Sequence, residues 1–276
     1  MKERFLNTLY FFILSILSIL FIFPVFVVVI NSLKFKFSIA TAPFVLPNAE
    51  TFSGSENYIT GIETTGFPQA LGWSLFITVF SVVVIIVFTS MTAWYITRVK
   101  SRFNSFFYYA LVFSMIVPFQ MVMFTMSKIA NILRLDNPLG IIFIYLGFGA
   151  GLSVFMFSGF IKTVPKTIEE AATIDGCTTF QVFWLVVFPV LKPTAITVAI
   201  LNTMWIWNDY LLPYLVIGKD YKTVPIAVQY LKGGYGSVDM GAMMAMLVLS
   251  IVPVVIFYLF CQKYIIKGVA SGAVKG

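Results

Sequence analysis

The side chains that most often do chemistry in proteins are scarce in this chain of 276 residues. It contains no histidine and only two cysteines, Cys177 and Cys261, which excludes histidine metal sites and Ser-His or Cys-His nucleophile pairs. A Gly-x-x-x-x-Gly-Lys-Ser/Thr loop is also missing, since Gly218-Lys219 is followed by Asp220, so the chain cannot hold ATP phosphates in that way. We therefore predict no catalytic residue, no metal ligand and no cofactor bound by this chain.

The most informative polar segment, residues 162–193, has the pattern of two short helices. In the first, Thr167 and Glu170 have the spacing of a capping box. Glu169 and Glu170 lie in the first predicted turn, where the helix dipole favours negative charge. Gly176 supplies a left-handed stop, so the first helix is expected to end just before it.

The second helix is expected to begin with another capping-box pair, Thr178 and Gln181, and to end at Pro189 and Pro193. Four side chains of the first helix share a face at three- and four-residue spacing, and these are Ile168, Ala171, Ala172 and Asp175. Small alanines let the groove of another protein come close. The pattern is typical either of a docking knob or of an ordinary amphipathic helix at a membrane surface.

The elements that must position this segment are indicated by composition. Hydrophobic residues make up 60% of the chain and charged residues 11%, whereas soluble domains have about 45–50% and about 25%. The difference excludes a soluble domain, a disordered chain and a secreted disulfide scaffold, and indicates an integral membrane protein. A spanning helix needs about 20 apolar residues. Runs without charged residues, one of them interrupted only by Asp209, predict six of them, near residues 9–31, 71–96, 106–127, 139–161, 194–216 and 241–264.

The distribution of positive charge predicts the orientation of these helices. With six spans, eleven of the 18 Lys and Arg residues lie on the side of the N-terminus and seven on the other side. Arg98, Lys100 and Arg102 form a tight cluster in one short loop. Both termini and the loop 162–193 are therefore predicted to be cytoplasmic. The net charge of +7 reflects this bias, and we predict no nucleic-acid partner.

Prolines and glycines within the spans predict helix kinks and close helix contacts. Three prolines are expected to kink their helices, with a hinge as the alternative: Pro24, Pro118 and Pro253. Three glycines of the fourth span allow close approach of a helix from this chain or from a partner: Gly147, Gly149 and Gly151.

The loop between the fourth and fifth spans resembles a known signature. Glu170-Ala-Ala, three residues, Gly176, nine residues and then Val186-Val-Phe-Pro189 are similar to the cytoplasmic EAA motif in the membrane subunits of ATP-binding-cassette importers. The family pattern is Glu-Ala-Ala, three residues, Gly, nine residues, Ile-x-Leu-Pro. Val186 replaces Ile and Phe188 replaces Leu, and the spacing is intact.

The resemblance extends over nearly the whole chain and is strongest to the carbohydrate-importer branch, specifically to the shorter six-span subunit of maltose-transporter type. The matching pieces are residues 31–34, 43–47, 57–58, 207–213 and the tail 268–276. One departure is Trp73 before Ser74, where the family often has Asn. It bears on helix packing in the second span and leaves the expected function unchanged.

The resemblance implies an all-α membrane protein with six transmembrane helices, in the type I ABC importer permease fold with a cytoplasmic coupling helix. Residues 1–70 would form an N-terminal transmembrane helix and extracellular loop. Residues 71–266 would form the transmembrane core, with the coupling helix at 166–188, and 267–276 a cytoplasmic tail. The expected location is the bacterial cytoplasmic membrane.

The resemblance also implies partners: a paralogous permease subunit, two ATPase subunits that hold ATP and Mg, an extracellular sugar-binding protein, and membrane lipid. The residues expected to contact an ATPase are Ile168, Glu169, Glu170, Ala171, Ala172, Asp175, Gly176 and Pro189. The last outer loop could reach the sugar-binding protein through Gly233, Gly234 and Tyr235. ATPase closure would pull on the coupling helix and rock the spans.

Asp209 is the one carboxylate within a predicted span, and an intramembrane carboxylate suggests a function. Counted from Pro193 at about 1.5 Å per residue, it lies near the outer interface. Its aromatic and amide neighbours are Trp205, Trp207, Asn208 and Tyr210. Two interpretations stay open, an interfacial packing role and a lining of the sugar path.

Two other functions compete with an importer permease. A secondary transporter or channel without an ATPase would predict inverted repeats or several buried charges. A structural membrane scaffold would leave the motif of residues 170–189 unexplained. A copurifying ATPase would distinguish the importer from both.

Overall fold

The computed structural model describes residues 2–218, 220–231 and 239–273. About 81% of the chain is helical, and within the described residues the only extended pairing is one bridge between Lys34 and Phe52. The helices are α1 Lys2–Ser32, α2 Lys36–Thr41, α3 Glu56–Thr65, α4 Phe67–Arg98, α5 Arg102–Ser114, α6 Phe119–Ile132, α7 Pro138–Ile161, α8 Thr167–Ile174, α9 Thr179–Gln181, α10 Phe188–Asn208, α11 Leu211–Val216, α12 Val224–Tyr230 and α13 Met240–Ala273.

Five helical segments of the described chain are long and apolar enough to cross a membrane: 6–32, 67–98, 138–161, 179–208 and 240–264. A sixth span requires that α5 and α6 together make one crossing. The all-helical fold with five or six candidate spans agrees with the prediction. Four of the predicted segments match single long helices, and the third and fifth differ in shape.

The third predicted span, 106–127, is wrong as a single helix. α5 and α6 meet at an angle of 107°, and Pro118 lies at the break with extended backbone. Proline disfavours the helical conformation in the residue before it and removes one backbone donor. Pro24 and Pro253, by contrast, lie inside continuous helices.

The fifth span begins earlier and ends earlier than the predicted 194–216. α9 runs through a π-helical turn, Val182–Val187, directly into α10. The prediction that Pro189 and Pro193 end the helix is therefore wrong. The wider turn lies just before Pro189, where the ring would otherwise clash with a carbonyl group one turn back. The span ends at Asn208, and α11 is a separate short helix.

Of the helix-end signals predicted between α7 and α9, one is wrong and two are confirmed. The Thr167 capping box is wrong, because α8 begins after Lys166, which makes no side-chain cap. Gly176 follows α8 with a φ of 85°, which confirms the left-handed stop. The capping box of Thr178 and Gln181 is also confirmed, with hydrogen bonds in both directions.

The chain forms two compact units, and the first comprises Met1–Ala70 and Ala227–Val255. Asn57 is buried in this unit, and its Nδ2 donates to the carbonyl oxygens of Ser32 and Lys34, both at 2.8 Å. Lys34 is buried and donates to Ala42 O at 2.9 Å, and burial lowers the pKa of its ammonium group. Gly241 packs so tightly on Asn57 that a Cβ atom would lie within 3 Å of its side chain.

The second unit comprises Leu71–Ile226 and Ile256–Gly276. Its buried core is formed mainly by α4, α7, the π turn and α10, with smaller contributions from α6, α8 and α11. Gly149 lies where a Cβ atom would be 2.8 Å from Ile85 Cδ1, and Gly151 where it would be 2.6 Å from Leu111 O. These two glycines confirm the predicted close approach of helices within the chain. Gly147 has open space around it. The predicted functional boundaries at 70/71 and 266/267 stay a prediction.

Candidate functional site

The candidate site is built around α8 in the second unit. Ala172 faces the protein's own interior and is 9% exposed. On other faces of the helix Ile168 and Ala171 are exposed, and Ile174 at its end is 85% exposed. The predicted common face of four residues is therefore divided, because Ala172 is taken by internal packing. Single exposed apolar residues are common on protein surfaces, so Ile174 alone does not identify a binding site.

Glu169 fastens α8 to the end of α4. Its Oε1 accepts from Arg98 Nε at 2.8 Å and from Arg98 Nη2 at 2.6 Å, and its Oε2 accepts from Trp94 Nε1 at 2.9 Å. Arg98 Nη2 also donates to Val164 O at 3.0 Å. The two charged side chains are 14% and 12% exposed. Such sheltered, multiply hydrogen-bonded pairs are stronger than exposed ones.

Trp94 connects α8 to the helix that follows it. Its ring lies 5.4 Å from the ring of Phe183 in the π turn, while its indole N–H binds Glu169. The backbone N–H of Cys177 donates to Ala172 O at 3.0 Å, which closes the turn after α8. Contacts through Glu169 and Trp94 thus link α8 to the end of α4 and to the start of the fifth span.

A groove of about 470 Å³ lies beside α8, between the end of α4 and the start of α9. Lys166, Glu170 and Ile174 all line it, so both signs of charge and one exposed apolar side chain face the same opening. Pro189 is exposed and lies two residues after the π turn. This arrangement offers a partner an apolar knob with charges beside it.

A second cluster surrounds Asp209, which lies in the break between α10 and α11. Its Oδ1 accepts from the backbone N–H groups of Leu211 at 3.0 Å and Leu212 at 3.3 Å. Its Oδ2 accepts from the hydroxyl of Tyr145 at 3.1 Å, and the Tyr145 ring meets Trp205 edge to face at 5.4 Å. Asp209 thus holds the start of α11, where unpaired backbone donors favour a carboxylate.

The other residues predicted near Asp209 differ from one another in exposure and in contacts. Trp207 is buried, Trp205 is 40% exposed, and Asn208 is exposed with its Nδ2 bound to Met204 O. The Tyr210 ring stacks on Tyr214 at 5.1 Å. Asp209 and Trp205 share a contact, which is Tyr145.

The predicted contacts to a binding protein, Gly233, Gly234 and Tyr235, lie outside the described residues, as do the last three residues of the tail. Within the described part of the chain, no group of three or more Cys, Asp or Glu side chains is placed to hold a metal ion.

Sequence reasoning missed three residues of the site. Trp94 and Arg98 precede Glu169 by 75 and 71 residues, and no local pattern links positions so far apart. Ile174 carried a signal, since it is an apolar residue beside Asp175 and Gly176 at the end of a short polar helix.

Residues 85–271 match the profile of a family described as "Binding-protein-dependent transport system inner membrane component". The chain is 39% identical over 261 residues to "Probable starch degradation products transport system permease protein AmyC" of Thermoanaerobacterium thermosulfurigenes, with 94% of each chain covered. It is 34% identical to "Multiple sugar-binding transport system permease protein MsmG" of Streptococcus mutans, with 99% of each chain covered.

Among solved structures, one chain of the "Crystal structure of a bacterial ABC transporter involved in the import of the acidic polysaccharide alginate" has a similar fold, with a TM-score of 0.77. The match covers 95% of this chain and 97% of that chain at 23% identity.

Proposed function

The chain belongs to the family of binding-protein-dependent transport system inner membrane components, and on that premise we propose that it is the permease subunit of an ATP-driven sugar importer. The names of two relatives refer to starch degradation products and to multiple sugars, which supports sugars as the cargo. Oligosaccharides are the class that we expect. Its relatives are permease proteins, and we expect ATP hydrolysis and Mg²⁺ to reside on a separate ATPase chain.

The observation that carries this proposal is that α8 is bound to the rest of the chain on one side and exposed on another. One side is fixed to the chain's own α4 through Glu169, while Ile168, Ala171 and Ile174 are exposed. We expect α8 to dock into a cleft of an ATPase, with its groove receiving a side chain from that partner. Glu170 and Asp175, both exposed, would orient the complex, and Gly176 would turn the chain away from it.

Magnitudes favour docking by packing over docking by surface charge. Moving a two-state population from 1:99 to 99:1 needs about 5.5 kcal/mol of differential binding. An exposed ion pair supplies about 0–1 kcal/mol, whereas burying one large aliphatic side chain supplies about 1.5–3 kcal/mol. Burial of Ile174 and of the exposed part of Ile168 would therefore hold α8 more firmly than its surface charges, and it would shift the population to the extent that the burial differs between the two states.

The proposed transmission uses two rigid connections. The Glu169–Arg98 pair carries movement of α8 to α4, and the continuous helix from Thr179 through the π turn carries it to α10. ATP-driven closure of the ATPases would thereby move the second and fifth spans together. Both termini and α8 are proposed to be cytoplasmic, in a bacterial cytoplasmic membrane.

The remaining partners follow from the family. We expect a paralogous permease to form the other half of the translocation path and an extracellular sugar-binding protein to deliver the cargo, with Gly233 to Tyr235 as its proposed contact. For Asp209 we propose a packing role, because the chain's own groups occupy both its oxygens. Trp205, with its exposed ring surface, is the better candidate for contact with sugar.

The substitution Ile174→Asp tests the docking role of α8. We expect the variant to reach the membrane at normal levels, to lose copurification of the ATPase by at least about tenfold, and to lose sugar uptake, because a carboxylate replaces an apolar contact. Pull-down of the tagged chain with its ATPase and uptake of labelled oligosaccharide measure the two effects.

Thr163→Asp is the matched control, since Thr163 is exposed in the same loop but lies before α8. It introduces the same charge and should retain both the ATPase and uptake. Normal ATPase capture and uptake in the Ile174→Asp variant would show that α8 is not the docking element.

A further inference from the structure

A second groove in the same unit lies at the α4–α5 connection. It measures about 750 Å³ and collects residues from the end of α4, the start of α5 and the end of α7. Three cations line it, Lys100, Arg102 and Lys162, and no acidic side chain is among its described lining residues. The ion pair of Arg98 with Glu169 involves none of these three cations, and among the described residues no carboxylate lies within ion-pair distance of them.

Ser158 adds an independent sign of a missing ligand. Its side chain lines the groove and is 1% exposed, yet its Oγ has no hydrogen-bond partner in the described structure. A buried hydroxyl group without a partner costs free energy, and native proteins seldom leave one so. A ligand with acceptor oxygens would satisfy this hydroxyl and neutralise the cations at once.

The first turn of α5 strengthens the positive character of the groove. Ser101 caps this helix by accepting from Asn104 N at 3.0 Å, and Arg102 is its first residue. The N-terminus of a helix carries partial positive charge and favours anions. Lys162 Nζ lies 5.6 Å from the centre of the Tyr108 ring, a cation–π contact that keeps the ammonium group in the groove.

An apolar surface adjoins the cations and indicates what kind of anion would fit. Phe103, Phe106 and Tyr109 follow Arg102 at three-residue spacing on α5, and all three are strongly exposed. The cations themselves lie at the ends of long apolar helices, which places them at the level of lipid headgroups. A free anion would not use the aromatic surface, whereas a phospholipid presents a phosphate and acyl chains side by side.

We propose that this groove binds the phosphate of an anionic phospholipid, with Lys100, Arg102 and Lys162 as the charge partners and Ser158 as a hydrogen-bond donor. The lipid's acyl chains lie against the exposed aromatic side chains of α5. Basic pockets between transmembrane helices suit such headgroups. The site is separate from α8 and needs no ATPase, so its test stands apart from the proposed import function.

The test measures binding of phosphatidylglycerol and of phosphatidylcholine to the purified full-length chain by native mass spectrometry from neutral detergent. Phosphatidylglycerol is expected to bind more tightly. Arg102→Gln with Lys162→Gln should weaken it roughly 10- to 30-fold, since each cation near the surface contributes about fivefold. Lys36→Gln with Lys128→Gln makes the same charge change at exposed lysines elsewhere and should leave binding unchanged.

Two gentler variants keep the test decisive if the double variant unfolds. Lys100→Gln changes an exposed side chain and should weaken phosphatidylglycerol about fivefold. Ser158→Ala should weaken it without any change of charge. Equal affinity in these variants and in the control would overturn the proposal.

Two further results would overturn the lipid assignment. The first is displacement of phosphatidylglycerol by inorganic phosphate at millimolar concentration, which would indicate a site for a free anion. The second is equal binding of the two lipids together with loss of an ATPase partner from the Arg102→Gln, Lys162→Gln chain, which would indicate an acidic protein surface as the occupant.

Discussion

At the scale of single residues, two sheltered carboxylates of the second unit hold neighbouring helices together. Glu169 joins α8 to α4, and Asp209 joins the start of α11 to Tyr145 on α7. Each carboxylate has several donors, which offsets the cost of removing its charge from water. These two acids are therefore expected to matter for the position of helices more than for contact with cargo.

The pair of Arg98 and Glu169 should behave as one unit. Arg98→Gln and Glu169→Gln are each expected to lower the free energy of unfolding by about 1.5–3 kcal/mol, since each leaves a sheltered charge without its partner. The double variant should lose less than the sum of the two. Denaturant unfolding in detergent measures the effect, and Lys166→Gln, an exposed cation beside the pair, is the control. Additive losses would show that the two residues are independent.

Asp209 should tolerate an amide better than a truncation. Asp209→Ala removes the acceptor for the N–H groups of Leu211 and Leu212 and is expected to cost about 1–2 kcal/mol of stability. Asp209→Asn keeps one acceptor oxygen and should retain most of the stability and the KM for sugar uptake. Tyr145→Phe isolates the contribution of the hydroxyl bond. A raised KM in Asp209→Asn at normal stability would favour a role in the sugar path.

At the scale of elements, close helix packing depends on where glycines fall along α7. Two glycines on this helix differ sharply in their surroundings. Gly151 faces the backbone of α5, whereas Gly147 faces open space. The same residue type thus permits close helix contact at Gly151 and leaves open space at Gly147.

Substitution by alanine should separate these two glycines. In Gly151→Ala the new methyl group would approach Leu111 O to 2.6 Å, and moving α5 away should cost about 1–3 kcal/mol. Gly147→Ala should be neutral or stabilising by up to about 1 kcal/mol, because alanine favours helix. Thermal unfolding in detergent measures both. Equal stability of the two variants would contradict the tight packing of α5 on α7.

At the scale of the whole molecule, the six-span arrangement depends on α5 and α6 making one crossing despite their bend. An even number of spans places both termini on one side together with α8. With only the five long helices crossing, α8 and the N-terminus would lie on opposite sides of the membrane.

Labelling of introduced cysteines tests this arrangement. In a chain carrying Cys177→Ser and Cys261→Ser, Asp175→Cys is expected to react with a membrane-impermeant maleimide only in inverted vesicles. Ser55→Cys, in the loop between the first two spans, should react in intact cells. Both positions are exposed on the protein surface, so a difference in labelling reports the side of the membrane and not burial within the protein. Labelling of both positions from the same side would rule out the proposed topology.

The sequence alone determined the membrane class, most of the spans, the short helix before Gly176 and the family. These features are encoded locally, because runs of apolar residues, capping pairs and motif spacing act over one or two helical turns. Local rules failed where neighbouring geometry prevailed, as at Pro189, where a π turn makes room for the ring, and at Thr167, whose predicted cap did not form.

Only the tertiary structure decided which distant residues meet. Arg98 reaches Glu169 across 71 positions, and Lys162 joins Lys100 and Arg102 in one groove. The burial of Ala172 and the exposure of Ile174 were settled in the same way. The physical reason is that helix periodicity fixes the direction of a side chain relative to its own axis, whereas the partner it finds depends on how several axes pack against one another.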